Sequence, residues 1–70
     1  MDANLLGDAV VRKREELHLT QEGLVSLIGE DKISLSTVKR IERRITVSLS
    51  KAYIVASALG IDISEYMSDS

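Results

Sequence analysis

Apolar residues in this 70-residue chain recur every three or four positions, the period of a helix buried along one side. Leu6, Val10, Arg14 and Leu17 form one stripe of a first helix predicted from Leu5 to Leu17, with Asn4 as its N-cap. Leu24, Leu27 and Ile28 mark a second helix, Gln21 to Ile28, which Thr20 caps and Gly29 ends as a left-handed C′ residue. A polar connection, Glu30-Asp31-Lys32-Ile33, leads to Ser34 as the next N-cap and to a third helix from Leu35 to about Arg43, with Val38 and Ile41 facing inward. Ser48 opens a fourth helix with a wide apolar face of Leu49, Ala52, Tyr53, Val55, Ala56 and Leu59, and Gly60 stops it. A last short helix, Ile63 to Met67, begins at Asp62, with Glu65 placed to complete a capping box. β-branched residues never alternate with polar ones for long enough to make a strand, so the expected fold is all-α with five helices.

Composition narrows the function. Seventy residues make one domain at most, expected over 1–70, and its core must be efficient because small chains bury a smaller share of their surface. With no cysteine and a single histidine, His18, neither a disulfide framework nor a thiolate metal site can be built, and no cofactor is expected. His18 reads as a surface turn residue or a phosphate contact rather than a catalytic group. No nucleophile paired with a base and no glycine-rich phosphate loop is present, so an enzyme is not expected. The N-terminus lacks the basic and apolar regions of a signal peptide and no long apolar stretch occurs, which points to a cytoplasmic protein without a membrane partner.

Net charge is −2, mildly unfavourable for a nucleic-acid partner, but its distribution is uneven. Between Arg12 and Arg44 eight basic residues face six acidic ones, while both flanks are acidic. Positive charge therefore collects around the second and third helices. Two helices joined by a glycine-containing turn, the second with a basic exposed face, constitute a helix-turn-helix unit, here at about 20–44. Such a unit braces one helix across the phosphate backbone and lays the other in the major groove.

Three segments carry a more specific likeness: Thr20-Gln21-Glu22-Gly23-Leu24, then Ser34-Leu35-Ser36-Thr37-Val38-Lys39-Arg40-Ile41-Glu42-Arg43, then Ala58-Leu59-Gly60-Ile61-Asp62. Together and in this order they resemble the phage repressor and Cro (XRE-type) family, over about residues 5 to 67. The resemblance implies a lambda-repressor-like DNA-binding domain with a central helix-turn-helix. It implies that Gln21 contacts the DNA backbone and braces the recognition helix. It places Ser34, Leu35, Ser36 and Thr37 toward base edges, with Lys39, Arg40 and Arg43 further along the same helix. Arg40 is the foremost base-reading candidate, because a guanidinium can take guanine O6 and N7 together; Lys39 suits phosphate equally well. The resemblance also implies a bridge between Arg14 and Glu42 that fastens the recognition helix to the scaffold.

Departures from the family pattern set further expectations. Glu30-Asp31-Lys32 lengthens the turn and adds two acidic groups, which oppose phosphate. Val25 stands where alanine is usual at the close contact of the two helices, and is expected to widen their separation. Arg44 replaces the usual glycine, so the third helix is expected to end without a positive φ. Leu35 either touches a thymine methyl or packs inward or against a partner. The expected function is a sequence-specific transcriptional regulator, a repressor, acting on double-stranded DNA. The competing reading is a protein-binding module of the same fold, such as an antitoxin-like or regulatory partner domain, suggested by the acidic turn. Ile63, Tyr66 and Met67 offer a homodimer patch on the C-terminal helix or else close the core. The chain also reads as the N-terminal domain of a longer regulator with additional domains.

Overall fold

Helices α1 (Ala3–Glu16), α2 (Gln21–Ile28), α3 (Leu35–Glu42) and α4 (Leu49–Ala58) and a 3₁₀ segment, Ile63–Tyr66, follow one another along the chain. The computed structural model describes residues 3–45 and 47–66, with side chains for residues 5–45 and 47–64. Every described element is helical. The expected fifth α-helix is a 3₁₀ segment instead, and Met67 lies outside the described residues.

One apolar cluster joins all of them: Leu6 and Val10 of α1, Leu24 and Val25 of α2, Val38 and Ile41 of α3, Ala52, Val55 and Ala56 of α4, and Ile33, Leu59 and Ile63 from the connections and the 3₁₀ segment. α3 packs against α1, α2 and α4, and α4 packs against α2, α3 and the 3₁₀ segment. Gly7 permits the closest approach: a Cβ there would overlap the carbonyl oxygen of Ile41.

Several apolar positions face the solvent rather than the core. Leu27 is 61% exposed, because Val25 completes the inner face of α2 with Leu24 and Ile28 and turns the stripe away from Leu27. Val25 itself is buried between the helices. Tyr53 is 59% exposed and Leu49 is also exposed, since Ala52, Val55, Ala56 and Leu59 form a narrower inner stripe on α4 than expected. Leu17 lies past the end of α1, where the chain reverses, and Leu19 packs on the core in its place. Asn4 falls inside α1 rather than at its cap.

The helix ends show how the sequence stops each element. Thr20, Ser34 and Ser48 cap α2, α3 and α4, each side-chain oxygen accepting a backbone N–H three residues on. α1, α3 and α4 end in Schellman motifs. Leu19 N–H donates to Arg14 O and His18 N–H to Glu15 O after α1, Ile45 N–H to Arg40 O and Arg44 N–H to Ile41 O after α3, and Ile61 N–H to Ala56 O and Gly60 N–H to Ser57 O after α4. The C′ residues have φ of 58° at His18, 67° at Arg44 and 71° at Gly60. Arg44 therefore does adopt the left-handed conformation, contrary to the expectation. Its cost of about 1 kcal/mol is offset by the two backbone bonds of the motif and by an ion pair to Asp8, Arg44 Nη2 to Asp8 Oδ1 at 3.1 Å.

Gly29 is used differently from the expected C′ glycine. It sits at the C-cap of α2 with φ 116° and ψ 128°, a region open to glycine and outside the left-handed helical well. Its carbonyl accepts both Lys32 N–H and Ile33 N–H, closing the longer turn on itself. Ile33, read as part of a polar connection, is only 2% exposed and anchors that turn in the core. At the C-terminal side, the side chain of Glu65, the expected box partner, lies outside the described set, and the bonds described for Asp62 go to Ser64. Asp62 Oδ1 accepts from Ser64 N–H at 3.0 Å and Ser64 Oγ–H at 2.7 Å. Ile63 is core, which removes it from the expected dimer patch; the side chain of Tyr66 is outside the described set.

Candidate nucleic-acid interface

The inner face of α3 is set by Thr37, Val38 and Ile41, all buried. At 3.6 residues per turn the opposite face then carries Ser36, Lys39, Arg40 and Arg43, and all four are exposed. Three cations and one hydroxyl thus share one surface of a two-turn helix. A face of this kind suits an anionic, hydrogen-bonding partner.

The first turn of α3 is neutral and bonded to itself. Ser34 Oγ accepts Thr37 N–H at 3.2 Å and lies 2.9 Å from Thr37 Oγ1 and 3.1 Å from Ser36 Oγ. Thr37 is 9% exposed, so it supports this cluster from beneath rather than standing on the outer face. Leu35 is partly buried and packs on the core through one side. Its other side lines an open cavity of about 300 Å³ with Val25, Glu22, Ser26 and Glu30. The cavity lies where α2, the longer turn and the start of α3 meet.

At the other end a charged hub joins three elements. Arg14 Nε donates to Glu42 Oε2 at 2.8 Å and Arg14 Nη2 to Glu42 Oε1 at 3.1 Å, a two-pronged pair between α1 and α3. Gln21 Nε2 donates to the same Glu42 Oε1 at 2.9 Å, which brings in α2. The last prong, Arg14 Nη1, donates to Leu19 O at 2.8 Å and holds the α1–α2 turn. The Arg14 and Glu42 side chains are 15% and 7% exposed. Hydrogen bonding to Glu42, against the opposing effect of burial, pushes the Arg14 guanidinium further above its ordinary value, so it remains cationic.

The structure thus gathers Arg14, Gln21 and Glu42 into one network, and Ser34, Ser36 and Thr37 into another, while Lys39, Arg40 and Arg43 stand exposed. Sequence reasoning missed the Gln21 bond to Glu42, the Leu19 carbonyl, the Arg44 to Asp8 pair and the cavity. Only the first had a sequence signal: Gln21 opens α2 at the level where Glu42 closes α3, if the two helices are packed together. Among the described residues no helix is long and apolar enough to cross a membrane.

No curated protein and no solved structure matches the chain. A family model described as helix-turn-helix does, over residues 11–66, a span that includes α2, α3, α4 and the whole of the exposed basic face. With this match over most of its length, the chain belongs to the Cro/C1-type (XRE) helix-turn-helix family of DNA-binding regulators.

Proposed function

We propose that the chain is a transcriptional repressor that binds a specific duplex sequence with α3 in the major groove. The observation that carries this reading is the outer face of α3, where Ser36, Lys39, Arg40 and Arg43 are exposed over an inner face fixed in the core. Arg40 reads guanine through two parallel hydrogen bonds, and Ser36 meets a base edge beside it. Lys39 and Arg43 neutralise phosphates on either side of the groove. Gln21 braces the backbone, its amide orientation held by Glu42. Thr37, which is buried, acts from below by shaping the first turn, and Ser34 caps that turn from its exposed side. Repression follows from occupancy of the site. A homodimer on paired half-sites is part of the proposal, as three cations alone give a modest phosphate footprint.

Selection of bound duplexes from a random pool at low salt tests the reading. A single enriched sequence is expected, with a two-fold repeat if the dimer is correct. Arg40→Ala should weaken binding to that sequence roughly tenfold or more and relax preference at one position. Gln21→Ala should weaken binding evenly across sequences and leave its salt dependence unchanged, because a neutral amide releases no counterion. No enriched sequence, together with one stoichiometric protein partner in a pull-down, would replace this reading with the protein-binding one.

A further inference from the structure

Two carboxylates beside α3 have no counter-charge. Glu22 and Glu30 line the open cavity of about 300 Å³ together with Val25, Ser26 and Leu35, and both are exposed. Among the described residues neither side chain takes part in an ion pair, whereas Glu16, Glu42 and Asp8 are each paired with a cation. Val25 is buried and Leu35 partly so, which makes them an apolar floor and leaves the carboxylates and Ser26 as the rim. The longer turn holds Glu30 in place, since Gly29 O accepts both Lys32 N–H and Ile33 N–H and Ile33 is buried.

An apolar floor under an anionic rim fits a cation carried on an aliphatic stem. The rim repels phosphate, and a purely apolar occupant would bring both carboxylates out of water with nothing to balance them. Arginine suits the site better than lysine: its methylene stem covers the floor, and its guanidinium is weakly hydrated and has donors enough to engage both carboxylates. The cavity is open on its solvent side, so a free small cation would keep much of its surface in water. An arginine standing on a protein surface brings the missing cover with it.

We infer that this cavity docks an arginine flanked by apolar residues on another protein, and that this partner and duplex DNA exclude each other. The exclusion rests on the proposed DNA reading: Leu35 opens α3, so a partner seated on Leu35 fills the space that the groove must occupy. The chain is then a repressor that a protein can displace, with Glu30 of the longer turn supplying half of the anionic rim.

The probe is a displayed library of random peptides panned on the full chain. Enriched peptides should carry an arginine beside apolar residues, and should bind the double variant Glu22→Gln and Glu30→Gln about tenfold more weakly, the value of two exposed charge pairs. Leu35→Ser should weaken them by about fourfold or more through the lost apolar floor. In the unaltered protein, amide shifts on adding an enriched peptide should centre on Glu22, Val25, Ser26, Glu30 and Leu35, a measurement that a folding defect in a variant cannot obscure. Equal binding to the double variant, shifts centred elsewhere, or no enriched peptide at all would overturn the docking site. A concentration-dependent dimer that the double variant lacks would give the cavity to a second copy and overturn the partner assignment. The duplex enriched by selection should release the peptide; a ternary complex would overturn the exclusion. Failure to enrich any duplex would overturn the repressor reading and the exclusion with it, and the peptide comparison would still decide the cavity.

Discussion

At its first turn α3 is neutral and bonded within itself, Ser34 holding the Thr37 amide and lying against two neighbouring hydroxyls, whereas its last turn is cationic and tied to other helices through Glu42 and Arg44. The first end is stabilised by contacts two or three residues apart in the sequence. The second depends on partners 21 to 36 residues away. A short helix in isolation is marginal, so its position here must come from tertiary ties, and the polar ones concentrate at the last turn. The first turn, seated on the core by Leu35 and Thr37, presents its tip, while the polar hub at the other end fixes the direction in which that tip points.

The comparison breaks most readily at Glu42. Glu42→Ala would leave a mostly buried Arg14 guanidinium and the Gln21 amide without their acceptor, and should cost about 2–3 kcal/mol in a urea melt, toward the lower end for a buried pair because Arg14 keeps some solvent. A loss under about 0.5 kcal/mol would mean that the hub does not hold α3. Ser34→Ala tests the other end: losing the cap should cost about 1 kcal/mol, the usual value for a serine N-cap. If it cost more than Glu42→Ala, the assignment of the stronger polar anchor to the last turn would have to be reversed.

Arg44 sharpens the contrast by separating backbone from side chain. Arg44→Gly and Arg44→Ala both lose the exposed pair with Asp8, worth well under about 1 kcal/mol, but only glycine relieves the positive φ. The glycine variant should therefore be more stable than the alanine variant by about 1 kcal/mol. Equal stabilities would argue against the left-handed conformation. The smallest effect is expected away from α3, at the 3₁₀ segment. The Ser64 hydroxyl, and after it the Ser64 amide, hold the Asp62 carboxyl below its ordinary value. Stability from this group is present above the ordinary carboxylate range and is lost as pH falls through the lowered value. Thermal melts carried into acid should show that loss in wild type and less of it in Ser64→Ala.

The three serine and threonine caps were legible in the sequence because a cap acts on an amide three residues later and needs no distant partner. The start of α2, the inner residues Val38 and Ile41, and the exposed line of Lys39, Arg40 and Arg43 followed from helical period for the same reason. Period alone did not tell Leu27 and Tyr53 from core residues, because an apolar side chain fits the stripe whether or not another helix covers it. Nor did it reveal Ile33, which one residue's burial turned from loop into anchor.

Sequence by itself determined that this chain is helical, that a basic third helix follows a short capped second one, and which basic residues line that helix's outer face. These follow from local geometry and charge. The tertiary structure decided which apolar residues are covered, that Gly7 lies against the Ile41 carbonyl, that Gln21 shares Glu42 with Arg14, and that Arg44 can hold a conformation usually left to glycine. Each depends on atoms remote in sequence that meet only when the core closes, and on free-energy differences of about 1 kcal/mol that neighbouring residues alone do not decide.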